Sequence, residues 1–443
     1  MKRQIVISPC RRVEGSIQVP GDKSISHRAL LVGAMGEGSM EIHGLSPAAD
    51  VATSRAAIES LGVETLDSNV SIESSGSSSS PLDSQILLNG AGVAAWRSPD
   101  RLIDVGNSGT TIRVLLGPLA GSSVSATVTG DASIQSRPMK RVVTPLREMG
   151  ASISGRDDGG HAPLEVAGRK LVGVSHTLPV ASAQVKSALL LAGLLAEGET
   201  SVEEPADSRD HTERLLKYLG VPIASSGKRL IVKSTNIQNA KVTVPGDLSS
   251  AAFFLVAAAL LPGSDVEITG VGVNPARTGV LEILRNFGAR VDIADVVDES
   301  GEPRGTVRIR HGDRRPLDIA GRIVVAALDE LPLIALLGTA ADGETIVHDA
   351  AELRVKESDR IATIVDGLSR LGADITASPD GFIVRGPTQL RGAAVDSAGD
   401  HRIAMTLAVA ALTAEGQTAI SGWDSVAVSY PGFEQDLRRL VVP

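Results

Sequence analysis

The chain of 443 residues contains one cysteine, Cys10, and aromatic side chains make up only 2% of it. A single thiol excludes an intrachain disulfide and a cysteine-ligated metal cluster. So few aromatic rings leave little for bases or sugars to stack on, and the cores must be aliphatic. The net charge of −9 argues against nucleic-acid or membrane-surface binding, so any anion site must come from locally concentrated basic groups. No apolar run approaches the ~20 residues of a membrane span, and the opening MKRQIVISPC does not read as a signal peptide. The eight histidines are scattered rather than spaced as metal ligands. Neither G-x-x-x-x-G-K-[ST] nor a strand-led G-x-G-x-x-G occurs, which removes two common phosphate-cradling loops. The expectation is a cytoplasmic protein with no metal and no cofactor. The serine-rich stretch 71–84 is expected to be a solvated loop.

What the chain has instead is one pattern written six times. A small polar cluster runs into an alanine- and leucine-rich helix, which closes near a glycine and continues as a short strand. The clusters open at GDKSISHR (21–28), NSGTTIR (107–113), SAQVK (182–186), GDLSSAAF (246–253), DELPLIALL (329–337) and DHRIAM (400–405). They recur roughly every 65 to 85 residues, a spacing that suits small αβ subdomains better than a solenoid. The first helix of each copy is apolar all round and should be buried. A second, amphipathic helix follows five of them, near 50–63, 137–151, 210–221, 274–289 and 357–373. Segments such as HAPLEVAG, SDVEITGV and KVTVPG alternate as strands do.

Each polar cluster sits at a helix start, where unpaired N–H groups and the helix dipole favour anions. Lys23 and Ser24 occupy the first of these turns, and Arg28 lies one turn on. Asn107 begins NSGT, in which Gly109 allows a ligand close to the backbone. Arg137 precedes Pro138, a residue suited to the first helical position. Ser182, Ala183 and Gln184 start the third helix with small or amide side chains and free N–H groups. Arg209 lies in SRDHTE, which has the form of a helix cap. ELRVKESDR (352–360) is the densest charged stretch, and a helix beginning near Glu357 would put Glu357 and Arg360 on one face. Taken singly, each fragment has an ordinary explanation as a solvated helix start, a turn or a surface ion pair. Taken together they offer Lys23, Arg28, Arg113, Arg137, Arg209, Lys356, Arg360 and Arg402, an excess of cation suited to phosphorylated or carboxylated small molecules. Asp329 and Glu357 are the candidate proton carriers.

The ordered set PGDKSISHR, GNSGTTIR, RPM, SAQVK, SRDHTE, PGDLSSAAF, RVKESDR and DHRIAM resembles the enolpyruvyl transferase family along essentially the whole chain. The resemblance implies an α/β, two-lobed fold of six βαβαββ-type subdomains, three per lobe, with helix N-termini facing a cleft between lobes. The lobes would be 21–244 and 1–20 plus 245–443. By the same resemblance, the substrates are shikimate 3-phosphate and phosphoenolpyruvate, joined by addition–elimination with release of phosphate. Lys23, Ser24, Arg28, Ser182, Ala183, Gln184, Arg209, Asp329 and Lys356 would hold shikimate 3-phosphate. Lys23, Asn107, Gly109, Arg137, Gln184, Arg360 and Arg402 would complete the substrate-binding set, most of them around phosphoenolpyruvate. Asp329, Glu357 and Lys23 would be catalytic, and the enzyme would be a monomer.

SAQVK and RDHTE are similar to the glyphosate-tolerant class II subgroup, whereas NPAR (274–277) departs from its NPTR. Val428 stands where some members carry a lysine before the aromatic–Pro pair, here Tyr430 and Pro431, and Glu352 stands where Asn is common. Two rival readings remain at this point. One is the sister activity on UDP-N-acetylglucosamine, which typically uses a loop cysteine; Cys10 precedes the first repeat and is not in such a loop. The other is a non-catalytic repeat scaffold that binds anions, which would have no need of Asp329 and Glu357 beside the cations.

Overall fold

A computed structural model describes residues 3–67 and 84–443, so the serine-rich stretch, Ser84 apart, lies outside the described residues. The six alanine- and leucine-rich segments are all helices: α1 (Lys23–Met35), α2 (Gly109–Gly121), α3 (Ala183–Gly193), α4 (Leu248–Leu260), α5 (Leu331–Gly338) and α6 (His401–Thr413). Every residue of α4 is buried, as its uninterrupted apolar sequence requires. Five of the six helices have a side chain capping the first turn: Asp22, Ser108, Ser182, Asp247 and Asp400 each accept the backbone N–H of the second or third helical residue. In α5 the place of a cap is taken by a proline in the opening turn, Pro332, which has no N–H to satisfy.

The strands repeat too. In four sheets a short strand runs parallel to a central one, which pairs antiparallel with a third strand, itself antiparallel to an edge strand. The central and third strands are Glu37–His43 with Gln85–Ala91, Ser125–Thr129 with His161–Ala167, Glu199–Glu203 with Arg229–Lys233, and Gly343–Val347 with Gly381–Gly386. The parallel partners are Val242–Thr243, Ile103–Asp104, Ser175–Thr177 and Asp318–Ile319. Two further sheets share the start of this pattern: Arg12–Ile17 lies parallel to Asp265–Gly272, and Ala394–Asp396 parallel to Thr418–Ser421. Period-two burial fixes which face meets the helices. His161–Ala167, for example, buries Ala162, Leu164 and Val166 and exposes the residues between some of them.

Two compact units result. One comprises Met1–Pro20, Gly246–Val297 and Pro303–Pro443, and the other Gly21–Pro245 with Asp298–Glu302. The last five residues form a hairpin tip that the sequence reading left with 245–443. They group with the second unit because Glu302 accepts from buried His211 at 2.7 Å, the Gly301 carbonyl accepts from Arg214, and Ser300 Oγ accepts from the Thr243 N–H. Each unit has its own aliphatic core. Phe253, Phe254, Trp423, Tyr430 and Phe433 pack together with ring centroids 5.4 to 6.1 Å apart in the first unit. More than half of the scarce aromatic rings are therefore spent on one core.

The second helices differ from expectation at their starts. The one near 137 begins at Lys140, so Pro138 lies outside it, between that helix and the short helix Ala132–Ser136. The one after SRDHTE, His211–Tyr218, has no side-chain cap, because the Asp210 carboxylate accepts from Arg214 Nε at 2.7 Å instead. The one near 357 begins at Arg360, with Asp359 as its cap. A sixth second helix, Phe433–Leu440, follows the last copy and was missed because its short amphipathic run lacks a closing glycine.

The α2–α3 crossing sets a tight limit. A Cβ on Gly117 would lie 2.1 Å from the Ala188 carbonyl oxygen, so backbone meets backbone. Gly117→Ala should lower stability by about 1–3 kcal/mol despite alanine's better helix propensity. A urea midpoint equal to or above that of the native chain would refute this.

Candidate active site

In the second unit, polar side chains gather where α1, α2 and α3 begin. Lys23 Nζ lies 2.8 Å from Asp50 Oδ2, with both side chains mostly buried. Arg28 is buried, and its guanidinium donates to Thr212 Oγ1 at 2.7 Å, Ser187 Oγ at 2.9 Å and the Ser24 carbonyl at 2.9 Å. Burial pushes its pKa down to about 10, which still leaves it charged at neutral pH. His27 Nδ1 meets Ser54 Oγ at 2.7 Å, Ser54 meets Thr111 Oγ1 at 2.7 Å, and Thr111 meets Ser108 Oγ at 2.6 Å. This hydroxyl chain ties α1, the helix Ala49–Ser60 and α2 together. Desolvation, then the fields of Lys23 and Arg28, hold the His27 pKa well below its ordinary value, so the ring is a neutral strut.

Asn107 Oδ1 accepts from Arg137 Nη2 at 2.8 Å, and Ser133 Oγ accepts from the same nitrogen at 3.0 Å. Arg113 Nη1 donates to Gln184 Oε1 at 3.0 Å, while Gln184 Nε2 donates to Thr110 Oγ1 at 3.0 Å. A Cβ on Gly109 would lie 2.8 Å from Arg113 Nη1 and 2.9 Å from Arg137 Nη1, so the glycine lets two guanidiniums approach the start of α2. The structure thus brings Lys23, Ser24, Arg28, Asn107, Gly109, Arg137, Ser182, Ala183 and Gln184 to three neighbouring helix starts. Arg209 lies in the turn before His211–Tyr218, close enough to Arg28 to help lower its pKa. The N–H of Ser182, expected to be open, donates to Glu204 Oε1 at 2.7 Å.

In the first unit the candidates centre on Arg360, whose side chain is 1% exposed. Its Nε donates to Asp400 Oδ2 at 2.8 Å, its Nη2 to Glu357 Oε2 at 2.5 Å and its Nη1 to Asp329 Oδ1 at 3.2 Å. Burial opposes its charge, but the fields of Asp400, Glu357 and Asp329 outweigh that penalty and raise its pKa. Lys356 Nζ is 3.6 Å from Asp329. Desolvation and the nearby Arg360 lower the Lys356 pKa, against the opposing pull of Asp329 and Glu357. Arg402 Nη1 meets the buried carboxylate of Glu330 at 3.4 Å. The cation excess expected from sequence therefore does not hold in this unit. Lys356, Arg360 and Arg402 share their surroundings with Asp329, Glu330, Glu357 and Asp400, because buried guanidiniums need compensating charge. Glu357 and Arg360 meet although the helix begins only at Arg360.

A family model described as EPSP synthase (3-phosphoshikimate 1-carboxyvinyltransferase) matches residues 7–437. The chain belongs to the EPSP synthase family. It is 47% identical over 429 residues to a Shouchella clausii protein named 3-phosphoshikimate 1-carboxyvinyltransferase, covering 97% of this chain and 96% of that one. A Synechococcus protein of the same name is 46% identical over 443 residues, 99% of this chain and 97% of its own. Among solved structures, EPSP synthase from Acinetobacter baumannii aligns at a TM-score of 0.85 with 38% identity, covering 99% and 98% of the two chains. The enolpyruvyl transferase NikO from Streptomyces tendae shares the fold, with a TM-score of 0.78 at 19% identity and full coverage of both chains. Among the described residues, no helix is long and apolar enough to cross a membrane, and no group of histidine, cysteine or acidic residues is arranged to hold a metal.

Several site residues were not singled out from sequence: Asp50, His27, Ser54, Thr111, Asp400, Lys186, Glu204 and Glu213. Asp400 was the most accessible of them, since an Asp directly before an apolar helix is a cap signal. Removing Arg360 should strand Asp400, which is fully buried. Arg360→Met should therefore cost about 3–5 kcal/mol in urea unfolding, the range for breaking one side of a buried pair. A loss below ~1 kcal/mol would mean that Asp400 is compensated by other groups.

Proposed function

We infer that this chain transfers the enolpyruvyl group of phosphoenolpyruvate to the 5-hydroxyl of shikimate 3-phosphate and releases phosphate. The observation that carries this reading is near-complete coverage, at 46–47% identity, by relatives that bear the name 3-phosphoshikimate 1-carboxyvinyltransferase. The residues are chemically fitted to the task. Lys23, Ser24, Arg28, Ser182, Ala183, Gln184, Arg209, Asp329 and Lys356 are the groups suited to the phosphorylated acceptor. Lys23, Asn107, Gly109, Arg137, Gln184, Arg360 and Arg402 serve the phosphoenolpyruvate side, where forked guanidiniums suit phosphate and carboxylate. The reading places the enzyme in the cytoplasm.

The reaction then has two halves. Asp329 takes the proton of the 5-hydroxyl as its oxygen bonds to C2 of phosphoenolpyruvate, and Glu357 or Lys23 supplies a proton to the methylene carbon. The tetrahedral intermediate keeps its phosphate and carboxylate charges against the surrounding cations. In the second half a base recovers a methyl proton, the double bond re-forms, and the C2–O bond to phosphate breaks. The sister activity on a UDP-sugar is disfavoured by Cys10. It is half-buried, its N–H is bound to the Leu412 carbonyl at 3.1 Å, and burial pushes its thiol up to about 11. A thiol of that kind carries almost no thiolate at neutral pH and parts with its proton reluctantly.

Asp329→Asn and Glu357→Gln should each lower turnover by about two to four orders of magnitude while binding of shikimate 3-phosphate survives. Phosphate release with both substrates, against a UDP-N-acetylglucosamine control, is the measurement. Near-native turnover in either variant removes that residue from the mechanism, and phosphate release only with the UDP-sugar replaces the reading altogether.

Gly109→Ala tests the phosphoenolpyruvate side. The added methyl displaces the Arg113 and Arg137 guanidiniums, so the Michaelis constant for phosphoenolpyruvate should rise. The inhibition constant of glyphosate, a longer competitor with a phosphonate and a carboxylate, should rise further, because selectivity is the difference between the two effects. A change in neither constant would place both ligands away from Gly109.

A further inference from the structure

Behind the start of α3 lies a charged triad that the reaction above does not use. Lys186 Nζ is 2.8 Å from Glu204 Oε2 and 2.8 Å from Glu213 Oε1, with side-chain exposures of 6%, 7% and 6% for the three residues. Glu204 also holds two other groups. Its Oε1 accepts the Ser182 N–H at 2.7 Å, and its Oε2 accepts from Ser208 Oγ at 2.7 Å. One buried carboxylate thus grips the first residue of SAQVK and the residue immediately before Arg209. Glu213 fixes the other side of that turn, from the first turn of the helix His211–Tyr218. Its neighbour Thr212 receives the Arg28 Nε hydrogen bond, and Ser187, next to Lys186, receives one from Arg28 Nη2. Several connections between the start of α3, the turn at Arg209 and the Arg28 guanidinium therefore pass through Lys186 and its two glutamates or through their sequence neighbours, beside the direct bond from Arg28 Nη2 to the Ala183 carbonyl at 3.5 Å.

A buried array of this kind is a poor source of stability, because desolvation of three charges offsets most of their attraction. It makes sense as a device for placement. We propose that Lys186 and Glu204 are positioning residues for shikimate 3-phosphate, holding the N-terminus of α3 at Ser182 in register with the turn that carries Arg209. The inference rests on the proposed function and adds to it residues that touch no substrate. It also explains the residue type. Without a cation at 186, two glutamates would lie buried close behind groups assigned to an anionic ligand. The Lys186 ammonium halves that negative charge, and the paired glutamates in turn raise its pKa despite burial, so it stays charged.

Ser182 and Arg209 are assigned to shikimate 3-phosphate alone, whereas Gln184 serves both substrates. Disturbing the array should therefore separate the two Michaelis constants. Glu204→Gln keeps the size and an acceptor for the Ser182 N–H, but its amide nitrogen cannot accept from Lys186 or Ser208. The constant for shikimate 3-phosphate should rise by about 10- to 100-fold, the range known for losing the outer partner that orients a metal ligand and taken here for an anion-binding group. The constant for phosphoenolpyruvate should change by less than about threefold. Lys186→Met should show the same split. Lys186→Met with Glu213→Gln, which restores the native net charge of the array but not its ties, should recover stability without recovering affinity. Should Lys186→Met fail to fold, Glu204→Gln decides alone. A variant that melts like the native chain with both constants unchanged, or with both raised together, overturns the proposal. If instead the native protein turns over no phosphoenolpyruvate with shikimate 3-phosphate, the functional reading fails first, and the two failures are not confused.

Discussion

A helix that is apolar on every side can keep its polar groups in only one place, its opening turn. That constraint organises this protein. α4 and α6 are enclosed by other elements almost from end to end, so the N–H groups of their first turns cannot all be left to water. Asp247 and Asp400 answer part of the need as caps, and both are themselves buried. A buried aspartate then demands a cation: Arg277 lies 3.0 Å from Asp247, and Arg360 lies 2.8 Å from Asp400. Core burial thus leads to capping, capping to charge, and charge to guanidiniums gathered at helix starts. The same sites meet the physical requirements for binding anions.

The two units meet this requirement differently. In the second unit the cations are held largely by neutral groups. Thr212 and Ser187 hold Arg28, Asn107 and Ser133 hold Arg137, and Gln184 holds Arg113. Neutral acceptors orient a guanidinium without cancelling its charge, although Lys23 beside them is paired with Asp50. In the first unit carboxylates do the holding, with Asp329, Glu357 and Asp400 all on Arg360. That arrangement gives up net charge but gathers three carboxylates around one guanidinium.

This division explains what could be read from the sequence. The six apolar helices were legible because thirteen-residue runs such as Leu248–Leu260 leave no alternative to burial, and the strands were legible wherever burial alternates, as in His161–Ala167. Residues at helix starts were legible as candidates because capping and anion binding use the same residue types. The partners were not. Nothing local in the sequence pairs Lys23 with Asp50, or Lys186 with Glu204 and Glu213, because those pairings are made by helix packing between distant segments. The helix starts near 140 and 360 lie three residues beyond where the sequence put them, whereas the helix expected from 210 begins at His211 and lacks only its side-chain cap. Pro138, Asp210 and Glu357 look like local start signals, but the Asp210 carboxylate accepts from Arg214 one turn on, and the Glu357 carboxylate accepts from Arg360, so neither caps a helix.

The buried charges themselves argue that placement, more than stability, shaped these sites. Replacing a buried ion pair by apolar residues of similar volume is often neutral or stabilising, so folding alone does not call for Arg360 against three carboxylates or Lys186 between two. Apolar substitutes would leave α3 and α6 free to settle wherever their leucines and alanines pack best, and interchangeable aliphatic contacts specify position loosely. Directional bonds to a planar guanidinium or a shared carboxylate admit far fewer arrangements. In a chain with so few aromatic rings to fix its cores by shape, charged arrays at the helix starts are the strongest geometric constraint available, and they lie where the proposed substrates would be held.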